Sequence, residues 1–326
     1  MTKDELYTYF VNSKMFEQWH WYSWHFEFWK KKEEHPFASS IVDALLNCES
    51  KMPSFAKGMA DEIAAISGLE KNEDHYEQLL QRLSEILIIN QLVLSFKDDP
   101  VSFDREPTSG TSKKNPEITI STKDYKVGIE VKAPSLLKHQ KIRANNKTQV
   151  ASRFIDKTEI DKITKGEVTT PRDNPIKDFL ISADQKFKSF KENEVNFRGL
   201  LVVVWDDFIY EPISALTHHS SGLFTKNSFA KDKNGQPLTF SNVDAVIIVR
   251  HLHQFNAAAS GSPLIDNKTH AMDYGEKGNF PPKAFIVNPH GSGMSETIIE
   301  SLQAFTPCPQ MGAEYMPKEL IWWIPT

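Results

Sequence analysis

Cysteine is scarce in this chain. Cys48 and Cys308 are the only two among 326 residues, and they form neither a Cys-x-x-Cys pair nor a Cys/His cluster. That argues against a disulfide framework and against a structural zinc site, and makes a reducing cytoplasm the expected location. Long apolar runs are missing too. No stretch reaches the ~18 uninterrupted apolar residues of a membrane span, and the opening Met-Thr-Lys-Asp-Glu-Leu carries no apolar signal core, so no membrane partner is expected. Charge of one sign is also lacking. With a formal net charge of −5, any surface for a polyanion has to be a local patch. Gly291-Ser292-Gly293 lacks both the nucleophile elbow and the third glycine of a dinucleotide loop. The pairs His218-His219 and His251-Leu252-His253 have no third metal ligand at a familiar spacing.

What remains has a globular balance, 40% hydrophobic and 25% charged. Trp19, Tyr22, Phe26 and Trp29 recur at helical spacing and predict one helix from Tyr7 to Lys32, with Trp21, Trp24 and Phe28 striping another side. Aromatic stripes of this kind pack in a core or subunit interface more often than they stack on bases. Further helical stretches, Phe37 to Asn47 and Ser54 to Ile66, complete a helical N-terminal section over residues 1–75. Tyr76 to Leu94 then reads as a central helix, in which Glu85 is flanked by Ile88, Ile89 and Leu92 and needs a partner.

The pattern changes to period two after a polar stretch from Lys97 to Pro116. Ile118 and Ile120 alternate with Glu117, Thr119 and Ser121, and Val127, Ile129 and Val131 alternate with Gly128, Glu130 and Lys132, which predicts a hairpin. A helix from Ile176 to Asn193 and an apolar strand from Gly199 to Trp205 follow, then strands at Asp244 to Arg250 and Ala284 to Val287. Leu136 to Asn174 shows no clear structure. The reading is an α/β fold with a mixed central β-sheet flanked by helices: a core over 76–213 and a C-terminal extension over 214–326 that adds strands to it.

Side chains two apart on a strand point the same way, so Glu130 and Lys132 share a face while Val127, Ile129 and Val131 face the core. The hairpin brings Glu117 alongside. Two carboxylates, with the Val131 carbonyl as an extra oxygen, suit a hard cation such as Mg²⁺, with Mn²⁺ as its substitute. Lys132 can orient a water or stabilise developing negative charge. The acid-x-Lys tripeptide alone says little, since it occurs five times, also at Glu49-Ser50-Lys51, Asp124-Tyr125-Lys126, Asp184-Gln185-Lys186 and Asp266-Asn267-Lys268. Only Glu130-Val131-Lys132 ends an alternating strand with a Pro-acid strand upstream.

In Asn115-Pro116-Glu117 followed by Glu130-Val131-Lys132, the chain resembles the PD-(D/E)xK nuclease superfamily. The resemblance covers roughly Tyr76 to Asp207, with Glu in place of the commoner first Asp. It implies a restriction endonuclease-like core and a metal-dependent endonuclease acting on DNA, with RNA left open. It also implies a setting in restriction or anti-phage defence, as a homodimer or within a larger defence complex. Glu85 on the preceding helix, and Gln185 with Lys188 in a Q-x-x-K arrangement on the following one, fit further family positions. A catalytically inactive nucleic-acid-binding or assembly subunit with the same fold is the alternative. Past the site, Lys138 to Arg172 holds nine Lys or Arg against four acids. Lys138, Lys141, Arg143, Lys147 and Arg153 are its candidate phosphate contacts, against the plainer account of a solvated loop.

Overall fold

The computed structural model describes residues 1–66, 72–110, 114–146, 148–150, 158, 162, 168–172, 174–278, 281–317 and 322–323. Helix α1 (Lys3–Val11) begins with a capping box, in which Thr2 and Glu5 satisfy each other's backbone amides. The single helix expected from Tyr7 to Lys32 is instead broken. Ser13 caps a separate 3-10 turn at Lys14–Phe16, and after α2 (Ser23–Glu27) another 3-10 turn ends at Lys32, whose φ is 62°. Local side-chain bonds compete with the helix here: Ser13 Oγ accepts from the Met15 amide and His20 Nδ1 from the Tyr22 amide. The aromatics pack on one another across these turns. Tyr7 stacks on Trp29 at 4.5 Å and Phe10 meets Phe26 at 4.3 Å, while Trp24 remains 58% exposed.

Helices α3 (Pro36–Glu49), α4 (Phe55–Ala65) and α5 (Glu73–Ser95) follow. From Leu83 to Val93 every residue of α5 is buried, because the helix lies between α3 on one side and the sheet on the other. The sheet has seven strands. Strands β1 (Ser102–Arg105), β2 (Ile118–Ser121) and β3 (Lys126–Lys132) form an antiparallel meander. Past it come α6 (Leu137–Asn145), the short β4 (Thr148–Val150) and β5 (Val168–Thr169), and α7 (Asn174–Asn193). Then β6 (Phe197–Trp205), α8 (Tyr210–Thr217), β7 (Ala245–Arg250), α9 (Leu252–Ser260), β8 (Lys283–Val287), α10 (Glu296–Ser301) and β9 (Ala304–Phe305) complete the order β1-β2-β3-β6-β7-β8-β9. Strands β3, β6 and β7 are mutually parallel. The near-continuous apolar run of β6 reflects that central place, with neighbours on both edges and helices above.

The sheet crosses residue 213, and one contiguous core runs from Leu6 to Tyr315. A smaller sheet pairs β4 with β5 and with β10 (Trp322–Trp323). Structure thus occurs within the stretch from Leu136 to Asn174. Helix α6 gave no periodic signal because its sequence, LKHQKIRAN, is polar on nearly every side. Strand β1 was equally hidden, since only Phe103 of its four residues is buried. Among the described residues, no helix is long and apolar enough to cross a membrane.

Two glycines seat α7 on the sheet. Gly128 and Gly199 are directly paired between β3 and β6. A Cβ on Gly128 would come within 2.4 Å of Phe197 and 3.2 Å of Phe187, and one on Gly199 within 2.4 Å of both Phe187 and the Asn242 carbonyl. The absence of side chains there makes the slot into which Phe187 packs, fully buried. Gly199→Ala should therefore lower unfolding stability by about 1–3 kcal/mol, read from the urea midpoint. An unchanged midpoint would mean that α7 does not depend on this slot.

Candidate active site

At the end of β3 the alternation that buries Val131 turns Glu130 and Lys132 toward α7. Glu130 has no solvent exposure. Its carboxylate is held twice: Lys132 Nζ lies 2.6 Å from Oε1, and Lys186 Nζ lies 2.7 Å from Oε1 and 2.9 Å from Oε2. The same Lys186 ammonium stands 3.5 Å from Glu117 Oε1. Two carboxylates, Glu117 just before β2 and Glu130 on β3, thus converge on one cation.

Strand β2 pairs with β3 only as far as Ile118 opposite Ile129, so the β3 edge beyond is open. Gln81 on α5 fills it. Its Nε2 donates to the Val131 carbonyl at 2.9 Å and its Oε1 accepts from the Ala133 amide at 2.6 Å, in the manner of a missing strand neighbour. The same Nε2 also donates to Glu85 Oε1 at 2.8 Å. Glu85 thereby finds the partners its burial demands, the other being Arg82, whose Nη1 is 2.6 Å from Oε2. Arg82 continues outward to Glu62 at 3.2 Å, and Glu62 pairs in turn with Arg105.

Electrostatics follow from this crowding. Burial pushes Glu85 up to about 7, repulsion from Glu117 adds to it, and Arg82 and Gln81 oppose it. Burial likewise raises Glu130, with Glu117 adding to the rise and Lys132 and Lys186 opposing it. Lys186 moves above the usual lysine range because Glu130 and Glu117 outweigh the opposing effect of burial.

The other expected residues divide. Gln185 is exposed and accepts from Lys114 at 2.5 Å, outside the carboxylate cluster. Lys188 of the Q-x-x-K arrangement is exposed and 3.9 Å from Glu192. The helix residue that reaches the cluster is Lys186, from an acid-x-Lys tripeptide that looked uninformative. Its one available signal was position: it sits at the border of the stripe Leu180, Ala183, Phe187 and Phe190, where a lysine must find a partner. Gln81 and Arg82 carried no signal in sequence. Lys138 is exposed and Lys141 pairs with Glu73. Arg143, expected to contact phosphates, is instead buried, because it pairs with the buried Glu211 and lies 3.4 Å over the Phe208 ring. Lys147 and Arg153 lie outside the described residues.

The described residues contain no group of three His, Cys, Asp or Glu arranged as a metal cage. Donor chemistry nonetheless suits a hard divalent cation, since Glu117 and Glu130 already share one positive group through oxygen. The Val131 carbonyl is engaged by Gln81. Comparison with family models, with curated proteins and with solved structures finds no match to this chain.

The raised Glu85 has a consequence for stability. Between its unfolded value and about 7, the folded chain holds a proton that the unfolded chain has released, so stability falls as pH rises through that window. In EDTA, Glu85→Gln should lose less stability than the parent protein between about pH 5 and about pH 8. Equal losses in denaturant titrations would contradict the assigned environment of Glu85.

Proposed function

We propose that this protein is a Mg²⁺-dependent nuclease that hydrolyses phosphodiester bonds of DNA. The observation that carries the reading is the convergence of Glu117, Glu130 and Lys132 at one end of β3. Glu117 and Glu130 would hold the ion, with the Val131 carbonyl, which also accepts from Gln81, as an available extra oxygen; Mn²⁺ is the expected substitute. When bound, such an ion neutralises charge on a phosphate oxygen and makes a water acidic enough to attack.

The chain's own residues supply the rest. Lys132, 20% exposed at its side chain, has its ammonium at the border between Glu130 and solvent, where it can meet a phosphate oxygen or orient the attacking water. Glu85 and Gln81 fix the β3 edge, so the two carboxylates keep their spacing. Lys138 and Lys141, at the surface of α6 just past β3, are the described basic residues suited to the substrate backbone. Restriction or anti-phage defence is the setting that the resemblance suggests.

A second reading, an inactive nucleic-acid-binding subunit, draws on a different observation: Glu85 and Glu130 are both fully engaged by cationic side chains and Gln81. One assay separates the two. Purified protein is incubated with linear, circular and single-stranded DNA and with RNA, in Mg²⁺ or EDTA. The nuclease reading expects Mg²⁺-dependent cleavage that falls more than about a hundredfold in Glu130→Gln and in Lys132→Met, with circular dichroism unchanged. Binding without cleavage by the parent protein would favour the second reading, and full activity in both variants would remove these residues from the site.

A further inference from the structure

The cationic side chains of the cluster match or outnumber its ionised carboxylates, since burial keeps Glu85 partly protonated. Three carboxylates, Glu85, Glu117 and Glu130, face three cationic side chains, Arg82, Lys132 and Lys186. A divalent ion added to this set would leave a partly buried surplus of positive charge, which is unfavourable in a poorly solvated site. One cation therefore has to give way.

The contacts single out which one. Arg82 is tied to Glu62 and Glu85 and, among the described residues, makes no ion pair with Glu117 or Glu130, although Glu117 is near enough to act on its charge. Among the described residues Lys132 is ion-paired only with Glu130, at Oε1, and springs from the same strand. Lys186 reaches both oxygens of Glu130 and also Glu117, so its ammonium takes the shared position that an ion bound by those two carboxylates requires. It also has somewhere to go. Lys186 lines an open cavity of about 330 Å³ with Lys114, Asp178, Ile181, Ser182 and Gln185, whose one carboxylate offsets the one other cation, so a change of rotamer can move the ammonium there while Phe187 stays in its slot.

We infer that Lys186 is a built-in cation of this cluster, and that a divalent ion enters by displacing its ammonium into the neighbouring cavity. The inference rests on the metal-dependent reading proposed above. Once displaced, Lys186 remains tethered to α7 beside the ion and adds positive charge where an anionic substrate approaches. Metal affinity is accordingly set by the competition between the ammonium and the ion.

The test is calorimetric titration with Mn²⁺ alone, on the full chain, for the parent protein, Lys186→Met and Lys188→Met. Removing the competitor should tighten Mn²⁺ binding about tenfold or more in Lys186→Met, while Lys188→Met matches the parent. Equal or weaker binding by a folded Lys186→Met overturns the inference and leaves the metal-dependent reading standing. No Mn²⁺ binding by any of the three overturns that reading together with the inference. A second measurement needs no variant: acylation of surface amines on the parent protein, read by mass spectrometry with and without Mn²⁺. Labelling of Lys186 should rise severalfold on adding Mn²⁺ while Lys188 stays constant; unchanged labelling of Lys186 overturns the displacement.

Discussion

A carboxylate without solvent exposure sits at the end of β3, and the arrangement around it follows from keeping that charge tolerable. Desolvating an ionised Glu130 alone would cost several kcal/mol. Two ammonium groups offset that cost, one supplied by the same strand and one by α7. The α7 group arrives only because Phe187, the next residue, is seated in the slot left by Gly128 and Gly199. On the other side Gln81 closes the open edge of β3, which ties α5 and its buried Glu85 to the same strand end. Two glycines, one phenylalanine and one glutamine thus fix how three carboxylates stand relative to one another.

Buried ion pairs of this kind are weak contributors to stability, since well-packed apolar groups often serve as well. An assembly of three acids and three bases at the edge of an apolar core is hard to explain as a stabilising device. It fits a site whose cost is tolerated for its chemistry, where pKa values displaced by burial and neighbouring charge are expected. Arg143 and Glu211 give a useful contrast. They are also buried and paired, and Arg143 lies against Phe208, but among the described residues no second carboxylate is ion-paired to that guanidinium as Glu117 and Glu130 are to Lys186.

The hairpin, α5 and α7 were legible in sequence because their apolar residues recur at periods of 2 or 3.6, and the three later strands because each is a short, nearly unbroken apolar run. Glu130 and Lys132 were legible for the same reason, being the off-phase pair at the end of an alternating strand. The aromatic segment misled, since stripes at helical spacing over residues 19–29 concealed local bonds by Ser13 and His20 that break the helix. Lys186 was hidden because its role depends on a contact between α7 and β3 far apart in sequence, and no local pattern records which way a stripe-border lysine reaches. Basic density likewise did not say that Arg143 turns inward.

The central claim is that Glu117 and Glu130 hold a divalent cation between them. Crystals soaked in Mn²⁺ and measured for anomalous scattering test it most directly. The account predicts one strong peak bounded by the Glu117 and Glu130 carboxylates, with the Lys186 ammonium moved off both. A map with no peak there, and Lys186 still on Glu130, would contradict it.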